Sequence, residues 1–341
     1  MAKVKRVAVG LLCTILLASC GMGQGEETSR TTIKAPFDRT GGTITATTKE
    51  TKPMKELNAS YDIENLNYEL VWSDEFDTDG IPDPEKWVYD TGGHGWGNNE
   101  LQYYTASNED NENPNAWVEN GNLVIEARQE QHGSNEYTSA RVITKNKGDW
   151  LYGRFEIRAK LPEGRGTWPA IWMLPTDWEY GDWPRSGEID IMEHVGYDQD
   201  NIVGTIHTMS YNHSIRTQKG KTIHVEGVSD DFHEYVVEWL PDRIRWFVDG
   251  ELYNEFSPTD YTDEVTADEW PFDKRHHLLM NIAVGGDWGG VEGVAEDIWP
   301  QRFEIDYVRV YQAPEITALI DDDAVEPSAT VPEASAEDTT E

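Results

Sequence analysis

Residues Phe303 to Tyr311 read FEIDYVRVY, a run in which polar and apolar side chains alternate and β-branched and aromatic residues are enriched. A period of two is typical of a β-strand, because successive side chains of a strand point to opposite faces of its sheet. Four more short runs, separated by Gly, Pro, Asn and Asp clusters, share the pattern: residues 122–127, 154–159, 235–239 and 244–248. With no long amphipathic helix and no internal repeat, the pattern predicts an all-β fold, an antiparallel sandwich.

One turn within this pattern has a specific signature. Asp249-Gly250 separates Phe247-Val248 from Glu251-Leu252, and such a dipeptide is typical of a two-residue β-hairpin turn. We therefore expect the strands on either side of Asp249 to pair directly.

Composition restricts the possible functions of the chain. Its 341 residues include 28 Lys and Arg against 64 Asp and Glu, a formal net charge of −36. An acidic protein repels phosphate backbones, so a nucleic-acid partner is not expected. With 38% hydrophobic and 27% charged residues, the chain resembles a soluble globular protein rather than a multi-span membrane protein. Trp (14) and Tyr (15) outnumber Phe (8), which suits wet stacking surfaces as well as cores.

The N-terminus has the pattern of an export signal. Basic residues precede an apolar run at 7–18, which is too short to span a bilayer. The run ends in Leu-Ala-Ser-Cys at 17–20, which resembles a bacterial lipoprotein processing box. We therefore expect a signal peptide at 1–19 and a lipid on Cys20; a plain secretory signal is the alternative. Because Cys13 would leave with the signal, no disulfide framework is expected.

The remaining chain divides by composition into three parts. Residues 20–66 are polar and lack apolar periodicity, as a flexible linker does. Residues 313–341 contain nine acidic and no basic residues, which predicts a disordered acidic tail. Residues 67–312 form the predicted single domain. The expected protein is a monomer in the bacterial cell envelope, at the outer membrane or cell surface, and touches the membrane only through its anchor.

Residues 187–194, GEIDIMEH, place three carboxylates inside an apolar strand pattern. On a helix, Glu188 and Glu193 would lie about 140° apart and could not converge. On a strand, Glu188 and Asp190 share a face, whereas Glu193 would point to the other. One extra residue accommodated as a β-bulge around 191–192 would return Glu193 to the acidic face.

This arrangement predicts a pair of catalytic carboxyl groups. With the bulge absorbed, the two glutamate Cα atoms lie about 13 Å apart. Side chains that lean inward leave their carboxyl groups about 5–6 Å apart, the separation of a retaining glycosidase. Asp190 between them would hydrogen-bond the nucleophile and help to keep the acid protonated. The alternative is an edge strand with a solvated acidic face.

The bulged E-x-D-x-x-E stretch at 188–193 resembles the signature of glycoside hydrolase family 16. Similar motifs follow in order along the whole domain: WSDEF (72–76), GNNELQYY (97–104), SAR (139–141), YGRFE (152–156), GTWPAIWMLP (166–175), HT (207–208), FHEY (232–235), NIAVGG (281–286) and DYVRVY (306–311). The resemblance implies a β-jelly-roll sandwich with a substrate cleft across its concave sheet. The most similar subgroup is the bacterial laminarinases, which are endo-β-1,3-glucanases.

The resemblance also implies roles for individual residues. It makes Glu188 the nucleophile, Glu193 the acid/base and Asp190 the assistant. Trp168, Trp172 and Trp183 match cleft tryptophans. Trp288 matches one on the leaving-group side, although Gly289 follows it where the family usually has Pro. Polar sugar contacts match three residues: Asn99, Arg141 and His207. Flat indole faces stack on pyranose rings, although each of these side chains could instead serve a structural purpose.

No cofactor for catalysis is implied, but the family often binds one structural calcium ion. The matching ligands are the backbone carbonyls of Glu75 and Gly121 and the carboxylate of Asp306, and oxygen ligands suit calcium. Asp306 could equally be a strand residue paired with a nearby arginine.

Two alternatives concern the substrate. Agarases, porphyranases and carrageenases share the bulged motif, so agar, porphyran or carrageenan is an alternative to β-1,3-glucan, as is mixed-linkage glucan. Met192, the inserted residue, argues against lichenases and xyloglucan transferases. A non-catalytic glucan-binding surface protein is the other alternative, although relatives of that kind have typically lost the catalytic glutamates.

Overall fold

The computed structural model describes residues 61–108 and 110–320, which form two eight-stranded sheets and a small third one. Their strands are β1 (Glu69–Asp74), β2 (Val88–Asp90), β3 (Gln102–Tyr104), β4 (Ala116–Glu119), β5 (Asn122–Ala127), β6 (Tyr137–Ser139), β7 (Arg141–Ile143), β8 (Asp149–Trp150), β9 (Gly153–Lys160), β10 (Thr167–Pro175), β11 (Glu188–Glu193), β12 (Asn201–His207), β13 (Lys219–His224), β14 (His233–Trp239), β15 (Ile244–Val248), β16 (Glu251–Phe256), β17 (His276–Val284) and β18 (Gln301–Gln312). The helical elements of these ranges are α1 (Pro314–Thr317) and 3₁₀ turns at Ile63–Asn65, His213–Ile215 and Pro258–Asp260.

The two large sheets are antiparallel and share one core. Sheet A has the order β16-β15-β14-β9-β18-β5-β4, with β1 also paired to β18, and sheet B has the order β13-β12-β11-β10-β17-β7-β2, with β8 paired to β17. Sheet C joins β3 to β6 in parallel. Buried apolar side chains of both large sheets, such as Phe155 of sheet A and Ile171 of sheet B, belong to one continuous core. The predicted antiparallel sandwich is therefore confirmed.

Alternation along the strands explains this packing. In β9, buried and half-buried positions alternate over all eight residues. Phe155 and Ile157 enter the core, and each such side chain stabilises the fold by about 1.5–3 kcal/mol. In β18 the phase of the alternation changes at Asp306, where the register against β9 shifts by one residue.

The sequence patterns predicted individual strands and one hairpin correctly. All five alternating runs lie within strands, namely β5, β9, β14, β15 and β18. In the β15–β16 hairpin Val248 pairs with Glu251, and both turn residues have positive φ, 50° at Asp249 and 79° at Gly250. Such values are those of a type I′ turn, which matches the twist of the strands it joins.

The packed body extends beyond both predicted domain boundaries. Ile63 and Leu66, which were predicted to lie in the linker, pack against the core. After residue 312, Ala313 and Ile316 of the predicted tail are buried. The boundaries at 67 and 312 are therefore too narrow, because composition alone does not show that a few apolar residues beside a polar segment have a core to contact.

Several predictions concern residues outside the described ranges. These are the signal peptide at 1–19, the lipidated Cys20, the linker up to residue 60 and the tail from residue 321. Within residues 61–108 and 110–320, none of the helical elements has the length and apolar character needed to cross a membrane.

His276 on β17 is a fully buried titratable group in the core. Its ring contacts Trp239 and Phe272, with centroid distances of 5.0 and 5.9 Å. Nδ1 lies 2.9 Å from the carbonyl oxygen of Lys274, whereas Nε2 has no hydrogen-bond partner. Burial lowers the pKa of His276 from 6.5 to about 4, because the charged imidazolium would lose its hydration.

We expect His276 to make the fold less stable in acid. Below pH 6.5 the unfolded chain binds a proton at this histidine while the native state does not, so stability falls as pH drops from 6.5 towards 4. The loss is about 3 kcal/mol for this shift. Urea unfolding of the wild type and of His276→Leu at pH 7 and pH 4.5 measures it.

His276→Leu also leaves the Lys274 carbonyl without its hydrogen-bond partner. The test therefore compares how much stability each protein loses between pH 7 and pH 4.5, and not the stability at one pH. The leucine variant should lose less stability between the two pH values than the wild type. His224→Leu, at an exposed position of β13, is the matched control and should keep the wild-type dependence. Equal pH dependence in His276→Leu and the wild type would contradict this role.

Candidate active site

A β-bulge in β11 brings Glu188, Asp190 and Glu193 to one face of sheet B. Against β12, Asp190 pairs with Thr205 and Glu193 pairs with Val203, so the two residues between them in β11 oppose the single residue between them in β12. The register against β10 shifts at the same place. The bulge predicted around residues 191–192 is confirmed, and it returns Glu193 to the side of the other two carboxylates.

Glu188, at the start of β11, is held by two side chains. Trp183 donates a hydrogen bond from Nε1 to Glu188 Oε2 at 3.0 Å. His207 of β12 lies opposite Glu188 in the register, and its Nε2 is 3.7 Å from Glu188 Oε1. The Glu188 side chain keeps 15% of its surface exposed, so a substrate can reach it.

Asp190 is the most deeply buried of the three carboxylates. Its Oδ2 lies 3.3 Å from His207 Nε2, and one oxygen of Asp190, one of Glu188 and one nitrogen of His207 all lie within 4.8 Å of one another. Trp246 of sheet A donates a hydrogen bond to the backbone carbonyl of Asp190 at 2.8 Å. This contact from the core side anchors the strand beside its bulge.

Glu193, at the other end of β11, has a tryptophan partner of its own. Trp168 donates from Nε1 to Glu193 Oε1 at 3.1 Å. The Trp168 ring in turn meets Trp288 edge to face, with centroids 5.6 Å apart. Each glutamate therefore has one indole N–H donor, and the two donors come from different segments of the chain.

The pKa values of the three carboxyl groups are raised. For Glu193 the main cause is burial and the second is the Asp190 charge, whereas His207 and the Trp168 hydrogen bond oppose the rise. Burial and Asp190 also raise the pKa of Glu188, against His207 and Trp183. Burial raises that of Asp190, and its hydrogen bond with Glu188 opposes the rise. Like charges in one pocket cannot all ionise together.

The contacts indicate which group keeps the negative charge. Glu188 has both the Trp183 donor and the His207 imidazole within 4 Å. At Glu193 the Trp168 N–H is the hydrogen-bond donor, and His207 acts on this carboxyl through its charge. The closer contacts therefore favour the ionised form of Glu188 over that of Glu193.

The remaining predicted sugar contacts lie along the same sheet and at its rim. Trp172 on β10 donates a hydrogen bond to Asn281 Oδ1 at 2.8 Å, which fixes its indole. Asn99, with a positive φ of 55°, donates to Asp287 at 2.8 Å, on a loop that packs beside Trp168. Both side chains are accessible enough to meet a ligand.

Arg141 occupies a different environment from a free sugar contact. The side chain is 8% exposed, and its guanidinium lies 4.5 Å from the Trp96 ring, 4.7 Å from Tyr104 and 5.1 Å from Trp172. Asp90 and Glu100 carboxylate oxygens lie 3.9 and 3.8 Å away. Arg141 therefore supports the aromatic wall, and the sugar contact remains a prediction.

Three residues in contact with the predicted site residues were not predicted. His213 packs against Trp183 and His207, with ring centroids 4.9 and 5.1 Å apart, and no sequence signal pointed to it. Asn281, the hydrogen-bond partner of Trp172, is a polar residue in a fully buried strand, which is a signal that could have been used. Trp96 lies close to Asn99 in the sequence.

The predicted calcium ligands come from β18 and from the ends of two strands paired with it, but the two carboxylates are bound by arginines. Asp74 pairs with Val308 and Leu123 pairs with Ile305, so Glu75 just follows β1 and Gly121 just precedes β5, both near Asp306. Asp306 Oδ2 accepts a hydrogen bond from Arg158 at 2.6 Å. The Glu75 side chain binds Arg309 through two hydrogen bonds. The arginine pairing considered for Asp306 is thus the one observed.

Similarity to known proteins agrees with this site. The profile of the glycosyl hydrolases family 16 matches residues 102–309. A β-glucanase from Rhodothermus marinus is 57% identical over 249 residues, which cover 72% of this chain and 86% of that protein. A glucan endo-1,3-β-glucosidase from Cryptopygus antarcticus is 40% identical over 252 residues, 70% of this chain and 90% of that protein.

A solved structure gives the same result for the fold. The X-ray structure of the laminarinase from Rhodothermus marinus superposes with a TM-score of 0.70 at 55% identity and covers 73% of this chain and 98% of that one. The predicted jelly-roll sandwich is thereby confirmed. On the evidence of its fold, its carboxylate pair and its relatives, the chain belongs to glycoside hydrolase family 16 and is a glycoside hydrolase.

Proposed function

We propose that this enzyme hydrolyses β-1,3-glucan of the laminarin type, cutting within the chain and retaining the anomeric configuration. The observation that carries the proposal is the bulged strand with Glu188 and Glu193 on one face, each bound by a tryptophan N–H. The names of the relatives, a β-glucanase, a glucan endo-1,3-β-glucosidase and a laminarinase, support this substrate.

The proposed mechanism is a double displacement. Glu188 attacks the anomeric carbon while Glu193 donates its proton to the leaving oxygen, which breaks the glycosidic bond and forms a glycosyl ester on Glu188. Water then attacks the same carbon as Glu193 takes its proton, and the ester bond to Glu188 breaks. Two inversions leave the configuration unchanged.

Asp190 and His207 control the charge between the two glutamates. The imidazole within 3.7 Å of Glu188 favours its ionised form, as a nucleophile requires. The Asp190 charge raises the pKa of Glu193, as a general acid requires. The raised pKa of Glu193 predicts loss of activity as pH rises through it, because the leaving oxygen then has no proton donor.

Charge in the cleft favours a neutral glycan over a sulfated one. The predicted sugar contacts include one arginine, Arg141, whose guanidinium is enclosed by three rings and two carboxylates. A sulfated galactan would need accessible cations to bind its anionic groups. A non-catalytic glucan-binding protein would not need two glutamates with dedicated donors.

Incubation of the protein with four polysaccharides tests the proposal. Laminarin, barley mixed-linkage glucan, agarose and carrageenan are compared by reducing ends and product size. Short β-1,3 oligosaccharides from laminarin are the expected result. Release of reducing ends from agarose or carrageenan alone would contradict the proposed substrate but not the proposed mechanism. No release from any of the four would favour a non-catalytic glucan-binding protein.

A structural calcium ion at Glu75, Gly121 and Asp306 is a further proposal from the family. Oxygen donors on neighbouring segments suit calcium, which would compete with Arg158 for the Asp306 carboxylate. We expect EDTA to lower the melting temperature by a few degrees, calcium to restore it, and Asp306→Asn to abolish the response. A melting temperature that changes with neither EDTA nor calcium would contradict the calcium site, and the ion pair with Arg158 would then be the role of Asp306.

A lipid anchor at Cys20 is proposed for the bacterial cell envelope. The basic N-terminus, the apolar run and the Leu-Ala-Ser-Cys box at 17–20 support it. In cells grown with labelled palmitate, the wild type should carry the label and sediment with membranes, and Cys20→Ala should do neither. Label on Cys20→Ala, or a soluble wild type, would contradict the anchor.

The catalytic body is proposed to be monomeric. In the described ranges the large exposed apolar side chains, such as Leu70, Ile215 and Val291, come from widely separated segments of the chain. Static light scattering of the purified protein should give the mass of one chain.

A further inference from the structure

A second concave site lies beside sheet C. It is a cavity of about 560 Å³ with a predominantly polar lining, which includes Thr91, Tyr103, Asn111, Asn115, His132 and Thr138. None of these residues contacts the three carboxylates. We call this cavity the sheet C pocket.

Strand β3 separates the sheet C pocket from the catalytic cleft. Successive residues of a strand point to opposite faces, so Tyr103 and Tyr104 face different sides. Tyr104 is fully buried and contacts Arg141 beneath the cleft. Tyr103 is partly exposed and lines the pocket. The pocket therefore lies on the opposite side of β3 from Arg141.

The floor of the pocket is built from buried polar side chains. Asn115 is 1% and Thr138 is 2% exposed, and Asn115 Nδ2 donates to Thr138 Oγ1 at 3.0 Å. Thr105 donates to Asn115 Oδ1 at 2.7 Å. Asn115 Nδ2 also donates to the Glu126 carbonyl at 2.9 Å, so the amide is satisfied within the protein and makes the floor rigid. Contacts to a ligand come from the exposed polar side chains of the lining, such as Thr91, Asn108 and Gln131.

One wall of the pocket is aromatic. The rings of Tyr103 and His132 lie with centroids 4.1 Å apart and planes inclined by 32°. Such a pair presents flat surface beside the polar floor, which is the combination that sugar sites use: an aromatic face for pyranose C–H groups and fixed polar groups for hydroxyls.

The charge of the lining excludes other ligand classes. It contains no lysine or arginine but includes the carboxylates of Asp110 and Glu130, so an anion would be repelled. The pocket also lacks a metal site. Within residues 61–108 and 110–320, the side chains that converge closely enough to hold a metal ion are Glu188, Asp190 and His207, and none of them lines the pocket. A neutral, hydroxyl-rich ligand remains.

We propose that the sheet C pocket is a second glucan-binding site, which holds a neutral β-glucan chain while the catalytic cleft cuts it. This inference rests on the proposed function for the choice of glycan. A polymer that engages both sites gains affinity because its second contact is intramolecular, whereas a short oligosaccharide cannot span them. Binding in the sheet C pocket should therefore lower KM for the polymer and leave the rate of the chemical step unchanged.

The double variant Tyr103→Ala/His132→Ala tests the proposal. Loss of the aromatic wall should raise KM for laminarin about tenfold, the effect of one to two stacking contacts. The value of kcat, and kcat/KM for short β-1,3 oligosaccharides, should stay unchanged. Tyr261→Ala, a 53% exposed tyrosine elsewhere, is the matched control and should change neither.

A direct binding measurement separates this proposal from the proposed function. Full-length Glu188→Ala, with and without the double substitution, is run in native gels that contain laminarin, and retardation should be weaker without the aromatic pair. Equal retardation with and without the double substitution, together with an unchanged KM for laminarin, would overturn the second site. An equal loss of kcat/KM on laminarin and on short oligosaccharides would also overturn it, because it would indicate a defect in the catalytic cleft. Absence of any laminarin hydrolysis by the wild type would instead overturn the proposed function, while the gels still report on the pocket.

Discussion

Glu188→Ala is expected to lower kcat on laminarin by a factor on the order of 10⁴ or more, with the fold and glucan binding retained. Without this carboxylate no glycosyl ester can form, and the other groups of the site cannot replace its nucleophilic oxygen. Glu188 lies at the start of its strand with 15% of its side chain exposed, so its removal should not disrupt the core.

Azide distinguishes loss of the nucleophile from general damage. In Glu188→Ala, azide can occupy the vacated space and attack the anomeric carbon directly, which gives a glycosyl azide of inverted configuration. Trp183→Phe is the graded comparison, since it removes only the N–H donor to Glu188 and should lower kcat far less. Near-wild-type turnover by Glu188→Ala would falsify the assignment.

Glu193→Ala should produce a different defect. A substrate with a poor leaving group, such as laminarin, needs the Glu193 proton, so its hydrolysis should fall by about 10²–10⁴-fold. An aryl β-glucoside oligomer with an acidic phenol leaves without that proton and should still form the glycosyl ester on Glu188. Hydrolysis of the ester then becomes slow, because no base activates the water.

Two readouts check the role of Glu193. Azide should accelerate turnover of the aryl substrate in Glu193→Ala and give an azide product of retained configuration, opposite to that from Glu188→Ala. The alkaline fall in kcat/KM, which the raised pKa of Glu193 predicts, should disappear for the aryl substrate. An inverted azide product from Glu193→Ala would exchange the roles of the two glutamates.

The conflict between local alternation and the spacing of the acidic residues made the bulge predictable. Glu193 lies five residues after Glu188, an odd number that a regular strand would send to the other face. The apolar neighbours Ile189 and Ile191 required burial, so only an inserted residue could satisfy both demands. The observed register shift between Asp190 and Glu193 is the outcome.

Interactions between distant segments could not be predicted in this way. Trp172 and Asn281 are 109 residues apart, and their hydrogen bond exists because β10 and β17 are neighbours in sheet B. The enclosure of Arg141 by aromatic rings and the pairing of Asp306 with Arg158 have the same origin. A strand pattern states which face is buried, but not which strand lies beside it.

The sequence by itself determined the strands, the β15–β16 hairpin and the bulge that brings the proposed catalytic glutamates to one face, because each depends on residues within a few positions of one another. Tertiary structure alone decided which tryptophan binds which glutamate, how Arg141 is enclosed, and that a separate polar pocket forms behind β3. Those features depend on the order of strands in the sheets, which is set by packing of the whole core and not by any local stretch.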